Sequence, residues 1–328
     1  MDKVLFRFDF NKSIGFGHLV RCNTLAGEFK NRKFKNIHLG SKEKNLFINY
    51  KKNFHKILNI NFKNEKDEIE QIISVYKKNR CKLLVLDKFF KKRNYHFLFK
   101  KKNIKLIEFV PSKEIKSFAD YIICTIPYAK KEIKISNKKK KDQKFYFGEK
   151  FTILREQFYK PKTVKTEKYI FLNLGGGNDK NGTIQILKKI YEHLDDFRIK
   201  LIIGNNLNYK NICLWIKKNN NIKKIELIKS SKNLVKHIDQ SKFAICSAGQ
   251  ISHEINARAK KMILLYIVKN QILQAEKWQK KGHSYLGDIL KIKKKELIKK
   301  LEIYKNKKNK KFKIKKKYYT EILNEVSK

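Results

Sequence analysis

The stretch Ser13-Ile14-Gly15-Phe16-Gly17-His18-Leu19-Val20-Arg21-Cys22 lies between an alternating apolar run, Val4 to Phe10, and a helical pattern, Leu19 to Phe29. Strand, glycine turn and helix in that order make a phosphate-type turn. Gly15 and Gly17 allow left-handed backbone angles and close approach of a ligand, while the helix start offers unpaired N–H groups and the positive end of its dipole. Val20 stands where the third glycine of G-x-G-x-x-G belongs, so this is not an ordinary dinucleotide loop. His18 is at the mouth of the turn. Imidazole is the side chain suited to proton transfer near neutral pH, which makes His18 the candidate general base. Read locally, the same residues serve equally as a tight strand-to-helix turn with a histidine at the helix start.

Working outward, the first half reads as repeated strand-helix units. Strands are expected at Val4 to Phe10, Asn36 to Gly40, Lys56 to Ile60, Leu83 to Leu86, Ile104 to Ile107 and Tyr121 to Cys124. Helices are expected at Leu19 to Lys30, Lys66 to Lys78 and Tyr95 to Lys102. The second helix puts Ile69, Ile72, Ile73 and Tyr76 on one face, and the unbroken apolar run Leu83 to Leu86 suits a parallel strand covered on both sides. Such crossovers imply a doubly wound sheet that binds ligands beyond the carboxyl ends of its strands, where both His18 and Asp87 fall. Lys130 to Lys144 carries no useful apolar period and reads as a solvated loop.

After Leu154-Arg155-Glu156-Gln157-Phe158 and a polar stretch, the pattern restarts. Expected strands are Tyr169 to Leu174, Ile199 to Ile203, Ile225 to Ile228, Phe243 to Cys246 and Met262 to Ile267, alternating with helices at Thr183 to His193, Tyr209 to Lys218, Asn233 to Gln240, Ile251 to Ala259 and Ile272 to Lys281. The domain reading is therefore residues 1–155, residues 156–290, and a lysine-rich helical tail at residues 291–328. Two Rossmann-like α/β domains facing a cleft are the expected architecture.

Two loops of the second half repeat the strand-turn-helix arrangement. Gly175-Gly176-Gly177-Asn178-Asp179 offers N–H groups to a diphosphate, or is simply a glycine-rich turn, with Asp179 as a helix cap. Ser247-Ala248-Gly249-Gln250 opens a helix that carries Glu254, whose carboxylate either complements the helix dipole or accepts from hydroxyls. His253 reads as a surface residue of that helix. Asn270-Gln271 follows a strand and by itself would be an ordinary helix cap.

Composition narrows the classes. The 328 residues carry a formal charge of +50, but the lysines are spread over nearly every helix, so solvated faces are a better reading than a specific nucleic-acid surface. The five cysteines are odd in number and widely spaced, which suggests reduced thiols. No zinc-type His or Cys spacing occurs, and no structural metal or cofactor is expected. The absence of a membrane-length apolar run or a secretory leader suggests a cytoplasmic protein.

Arg7-Phe8-Asp9 followed by Ile14-Gly15-Phe16-Gly17-His18-Leu19-Val20-Arg21-Cys22 resembles the signature of the PseG-like nucleotide-sugar hydrolases, relatives of the MurG-type glycosyltransferases. Leu154-Arg155-Glu156-Gln157-Phe158, the Gly-Gly-Asn-Asp loop, the Ser-Ala-Gly turn, Glu254 and Asn270-Gln271 follow in the family's order. The resemblance implies a glycosyltransferase-B-like fold and hydrolysis of a UDP-linked deoxyamino sugar in pseudaminic-type acid synthesis. It implies His18 as catalytic base, and Gly15, Gly17, Arg21, Asp87, Asn270 and Gln271 as substrate-binding residues. It further implies that Gly175, Gly176, Gly177, Ser247, Ala248, Gly249 and Glu254 hold UDP. The chain departs from the family after Asp87, where Lys88-Phe89 replaces a His-Tyr pair, and at Glu108-Phe109, where an acidic pair is reduced to one carboxylate. A UDP-sugar glycosyltransferase and a non-catalytic nucleotide-sugar-binding protein are the alternatives.

Overall fold

The computed structural model describes residues 1–11, 15–40, 51–88, 94–127, 132–135, 142–203, 209–219, 223–229, 233–307, 311–313 and 316–326. Ser13, Ile14 and Phe89 lie outside the described residues. Two compact units emerge: Met1–Asn11, His18–Ile153 and Lys317–Lys328 form the first, Lys12–Gly17 and Leu154–Lys316 the second.

In the first unit the elements are β1 (Lys3–Phe8), α1 (Gly17–Asn31), β2 (Lys35–Gly40), β3 (Lys56–Asn59), α2 (Glu65–Lys78), β4 (Leu83–Asp87), α3 (Asn94–Lys101), β5 (Leu106–Phe109), β6 (Glu114–Ile115), β7 (Tyr121–Cys124), β8 (Lys134–Ile135) and β9 (Lys144–Phe147). Strands β3-β2-β1-β4-β5-β7-β9 form one seven-stranded sheet with parallel pairing throughout. Every residue of β4 is buried, as expected of a strand covered on both faces. Helix α2 is set by its ends: Asn64 accepts from the Asp67 N–H, Glu65, Asp67 and Glu68 occupy the first turn, and Lys77 and Lys78 occupy the last, all complementing the helix dipole. One face of the sheet packs Leu5, Leu84 and Leu86 with Ile69 and Ile72 of α2. On the other, Phe6 meets Phe29 of α1 at a ring separation of 6.1 Å.

The stretch from Lys130 to Lys144 is not simply a solvated loop. Lys134–Ile135 pairs in parallel with Glu114–Ile115, and Lys144 opens β9 beside β7. Lysine-rich composition hid these pairings because backbone hydrogen bonds need no apolar side chains on a solvent-facing strand. Residues 130–131 and 136–141 of that stretch lie outside the described residues.

The second unit contains β10 (Tyr169–Asn173), α4 (Gly182–Ile190), β11 (Arg198–Ile202), α5 (Tyr209–Lys218), β12 (Ile225–Ile228), α6 (Leu234–Gln240), β13 (Ser241–Ser247), α7 (Gln250–Ala257), β14 (Lys261–Tyr266), α8 (Ile272–Lys280), β15 (Ser284–Asp288) and α9 (Lys294–Asn306). Its sheet, β12-β11-β10-β13-β14-β15, is parallel throughout. Strand β15 was not expected from the sequence, since Ser284-Tyr285-Leu286-Gly287-Asp288 alternates weakly and contains a glycine at φ 81°. Two apolar layers cover the sheet. One includes Ile170, Leu172 and Ile245, the other Phe171, Ala244 and Cys246, so alternate residues of β10 and β13 face opposite helix layers.

A final helix, α10 (Tyr319–Val326), buries Tyr319, Ile322, Leu323 and Val326. It packs with the first unit: the Tyr146 hydroxyl donates to Glu325 at 2.7 Å and the Tyr319 hydroxyl to Glu28 at 3.3 Å. Strand order reverses between β1 and β4 in the first unit and between β10 and β13 in the second, and at such switch points the loops beyond the carboxyl ends form ligand crevices. The candidate residues end or follow these four strands or the neighbouring β14.

Candidate functional site

Beyond β1 and β4 the structure brings together His18, Arg21 and Asp87. Gly15 has φ 88°, which favours glycine, and Gly17 opens α1, placing His18 in its first turn and Arg21 three residues on, on the same side. His18 Nδ1 is 2.8 Å from Asp87 Oδ1. The Arg21 guanidinium grips the same carboxylate through both Nε and its terminal nitrogen, and the Cys22 thiol donates to Asp87 Oδ2 at 3.3 Å. Arg21 also lies over the Phe109 ring at 4.8 Å. Burial by itself pushes the Asp87 carboxyl up, but the Arg21 and His18 charges and their hydrogen bonds outweigh it and hold the group well below the usual carboxylate range. Burial and the neighbouring Asp87 charge push the Cys22 thiol far up, so it stays protonated.

Glu108 on β5 is of another kind. It is buried, accepts from the Ser117 hydroxyl, and is pushed by burial to about 8 against the opposing effect of that hydrogen bond. A protonated carboxyl here needs no cation.

In the second unit the turn after β10 is shaped by its own side chains. The Gly175 N–H donates to Asn173 Oδ1 at 2.9 Å, and Gly175 has φ 99°. Gly176 and Gly177 continue the turn, and Asp179 caps the following helix by accepting from the Asn181 and Thr183 N–H groups at 3.1 Å each and from the Thr183 hydroxyl. The turn after β13 is its neighbour: a Cβ added to Gly175 would stand 3.7 Å from Ser247 Oγ, and one added to Gly249 would stand 3.4 Å from Gln271 Nε2. Ala248 is buried and its N–H donates to Leu265 at 2.9 Å. Gly249 precedes α7, whose first N–H groups are directed into this turn. Gln271 accepts from the Ile267 N–H at 2.9 Å, and Asn270 is exposed on the same short turn.

Glu254 lies buried on α7, and Arg155 Nη2 donates to its Oε1 at 3.0 Å. Burial pushes the Glu254 carboxyl up, and the Arg155 charge works against that. Arg155 stood in the sequence only as part of a segment leading into the second half, because a partner 99 residues away leaves no local pattern. Gln274 was likewise missed: it donates to the Gly249 carbonyl at 2.9 Å and to Ser252 Oγ at 2.8 Å, fixing the turn from α8. His253 is a correction. It is buried against Trp278, with ring centroids 5.4 Å apart, because α7 is covered on that side by α8.

No helix among the described residues is long and apolar enough to cross a membrane.

Comparison with known proteins adds relatives and a fold. No family model matches the chain. The UDP-2,4-diacetamido-2,4,6-trideoxy-beta-L-altropyranose hydrolase of Campylobacter jejuni is 27% identical over 295 residues, covering 86% of this chain and 97% of that protein. An uncharacterized protein of Methanocaldococcus jannaschii is 23% identical over 278 residues, covering 80% of this chain, which spans only 55% of that relative's length. Among solved structures, Acinetobacter baumannii MurG superposes with a TM-score of 0.65 at 10% identity, covering 93% of this chain and 91% of that one. The UDP-GlcNAc 2-epimerase of Neisseria meningitidis, solved with UDP-GlcNAc, gives 0.65 at 12% identity with 99% of each chain covered. The chain thus has a glycosyltransferase-B-like fold, shared with MurG and the UDP-GlcNAc 2-epimerases, and resembles the PseG-like UDP-sugar hydrolases.

Proposed function

We propose that the chain hydrolyses a UDP-linked 2,4-diamino-type deoxysugar, releasing UDP by water attack at the anomeric carbon with inversion, in the synthesis of a pseudaminic-type (nonulosonic) acid. The observation that carries this reading is the 2.8 Å contact between His18 Nδ1 and a carboxylate kept ionised by Arg21. With Nδ1 donating to Asp87, Nε2 is left with the lone pair that takes a proton from water. As that proton leaves, the water oxygen bonds to the anomeric carbon and the bond from that carbon to the diphosphate oxygen breaks, the electron pair departing with UDP. Asp87 supports the imidazolium that forms, and Arg21 keeps the carboxylate oriented.

In this reading Gly176, Gly177 and Gly249 present N–H groups, and Ser247 its hydroxyl, to the diphosphate, while Gly175 and Ala248, whose own N–H groups are used within the fold, shape the two turns. Glu254 accepts from the ribose hydroxyls, and Gln271 and Asn270 offer amides to the sugar. The relative from C. jejuni supports the substrate class by the reaction in its name. The test is a separation of binding from chemistry. His18→Ala is expected to abolish turnover while UDP affinity stays within about 2-fold. Lost UDP binding with turnover retained would sink the assignment.

A further inference from the structure

Immediately after Asp87 comes Lys88, and its side chain goes the other way. Strands β1 and β4 pair as far as Phe8↔Asp87, the last match in that ladder. Residues 9 and 88 therefore stand where the backbone ladder has ended and side chains must hold the strand ends. The Lys88 ammonium donates to both oxygens of Glu68, each at 2.6 Å, lies 3.9 Å from Asp9 Oδ2, and sits 4.4 Å above the centre of the Phe62 ring. Glu68, buried on α2, also accepts from Arg7 Nε at 2.8 Å. Arg7 in turn donates to the two oxygens of Asp9 at 2.6 and 2.8 Å. Two cations and two carboxylates close a ring in which the formal charges cancel.

Helices α1 and α2 cover opposite faces of the sheet, since Phe6 packs on α1 and its neighbour Leu5 on the α2 side. Consecutive residues at the end of β4 are thus tied in opposite directions: Asp87 to His18, Arg21 and Cys22 on α1, Lys88 to Glu68 on α2. A twist of the strand end that turned the Asp87 carboxylate away from His18 would have to pull Lys88 out of Glu68. Buried ion pairs add little stability over apolar packing of the same shape, so a ring of this kind is better suited to fixing geometry than to adding stability.

We infer that Lys88 is a positioning residue, whose clamp on Glu68 and Asp9 holds Asp87 in the orientation that accepts from His18. Its kinetic consequence rests on the proposed role of His18 as base; its structural consequence does not. Two readouts keep them apart. In protein labelled with nitrogen-15 histidine, the His18 imidazole signals, assigned by their loss in His18→Ala, are expected to shift in Lys88→Met and to return to the wild-type position in Lys88→Arg. With a UDP-deoxyamino sugar, Lys88→Met is expected to lower kcat roughly 10- to 100-fold, with KM within about 2-fold and recovery in Lys88→Arg. Glu68→Gln, which loosens Lys88 without removing it, is expected to shift the same His18 signals, and it decides the matter if Lys88→Met does not fold. Unmoved His18 signals in Glu68→Gln or in folded Lys88→Met overturn the inference, as does a Lys88→Arg protein that matches Lys88→Met. Absence of turnover in the wild type would overturn the proposed hydrolysis alone, leaving the imidazole signals to judge Lys88.

Discussion

The Asp87 carboxylate serves three residues of one helix, accepting from Arg21 and the Cys22 thiol while lying 2.8 Å from His18 Nδ1. Asp87→Asn removes that charge from His18 and Arg21. Turnover is expected to fall about 100- to 10,000-fold with little change in KM, because an amide neither fixes the tautomer nor supports the imidazolium. Thermal or denaturant unfolding should show a loss of about 3 kcal/mol from the Arg21 guanidinium left without its carboxylate. The pH dependence follows from the lowered Asp87 value: its contribution is present above the unfolded-state value near 3.8 and is lost as pH falls through the folded one. The gap between wild type and Asp87→Asn should therefore close only in strong acid.

Glu108 has the opposite dependence. Its folded value is raised to about 8 from 4.5, so the folded state holds the proton more tightly, and stability is lost as pH rises from near 4.5 through 8. Denaturant melts of wild type and Glu108→Gln over that range should diverge by roughly 4 kcal/mol, the wild type weakening as pH rises. Parallel curves would show that the carboxyl is not held in its protonated form.

Arg155 and Glu254 are the corresponding pair of the second unit. Glu254→Gln is expected to weaken UDP binding by roughly 10- to 100-fold in calorimetric titration, the loss of a charge-assisted acceptor for hydroxyls. Arg155→Ala removes the cation that works against burial, so the Glu254 carboxyl should rise further and UDP binding should become more dependent on pH, weakening toward acid. UDP affinity unchanged in Glu254→Gln would remove Glu254 from the nucleotide site.

Gly175 tests the turn itself. Its φ of 99° is unfavourable for any residue with a Cβ, although the nearest atom to such a Cβ, Ser247 Oγ at 3.7 Å, leaves room. Gly175→Ala should therefore cost about 1–3 kcal/mol through backbone strain alone and loosen UDP binding by moving the N–H groups of the turn. A variant as stable as wild type would mean that the turn adopts another conformation without loss.

Much of this was legible in the sequence. Apolar runs such as Leu83 to Leu86 and the periodicity of Lys66 to Lys78 gave the alternation of strand and helix, because both signals depend on burial of the element as a whole. Residues at strand ends are legible as candidates, His18, Arg21 and Asp87 among them. Their contact was not legible, since it depends on the parallel register Phe8↔Asp87 that no local pattern encodes. The pairing of Arg155 with Glu254, and of Lys88 with Glu68, escaped for the same reason: long side chains meeting across distant elements obey no spacing. Lysine-rich composition hid β8 and β9, whereas His253, buried under Trp278, reads as a surface residue because its helix mixes Gln250, Ser252, Glu254 and Asn256 with its apolar positions.

In the proposed reaction His18 activates water against a UDP-linked deoxyamino sugar. Proton NMR of the anomeric signals, recorded as a panel of such sugars is incubated with wild type and with His18→Ala, tests it most directly. Free sugar of inverted configuration together with UDP is expected in the wild type, and neither in His18→Ala despite retained UDP binding. Sugar released at the same rate by His18→Ala, or released with retained configuration, would contradict it.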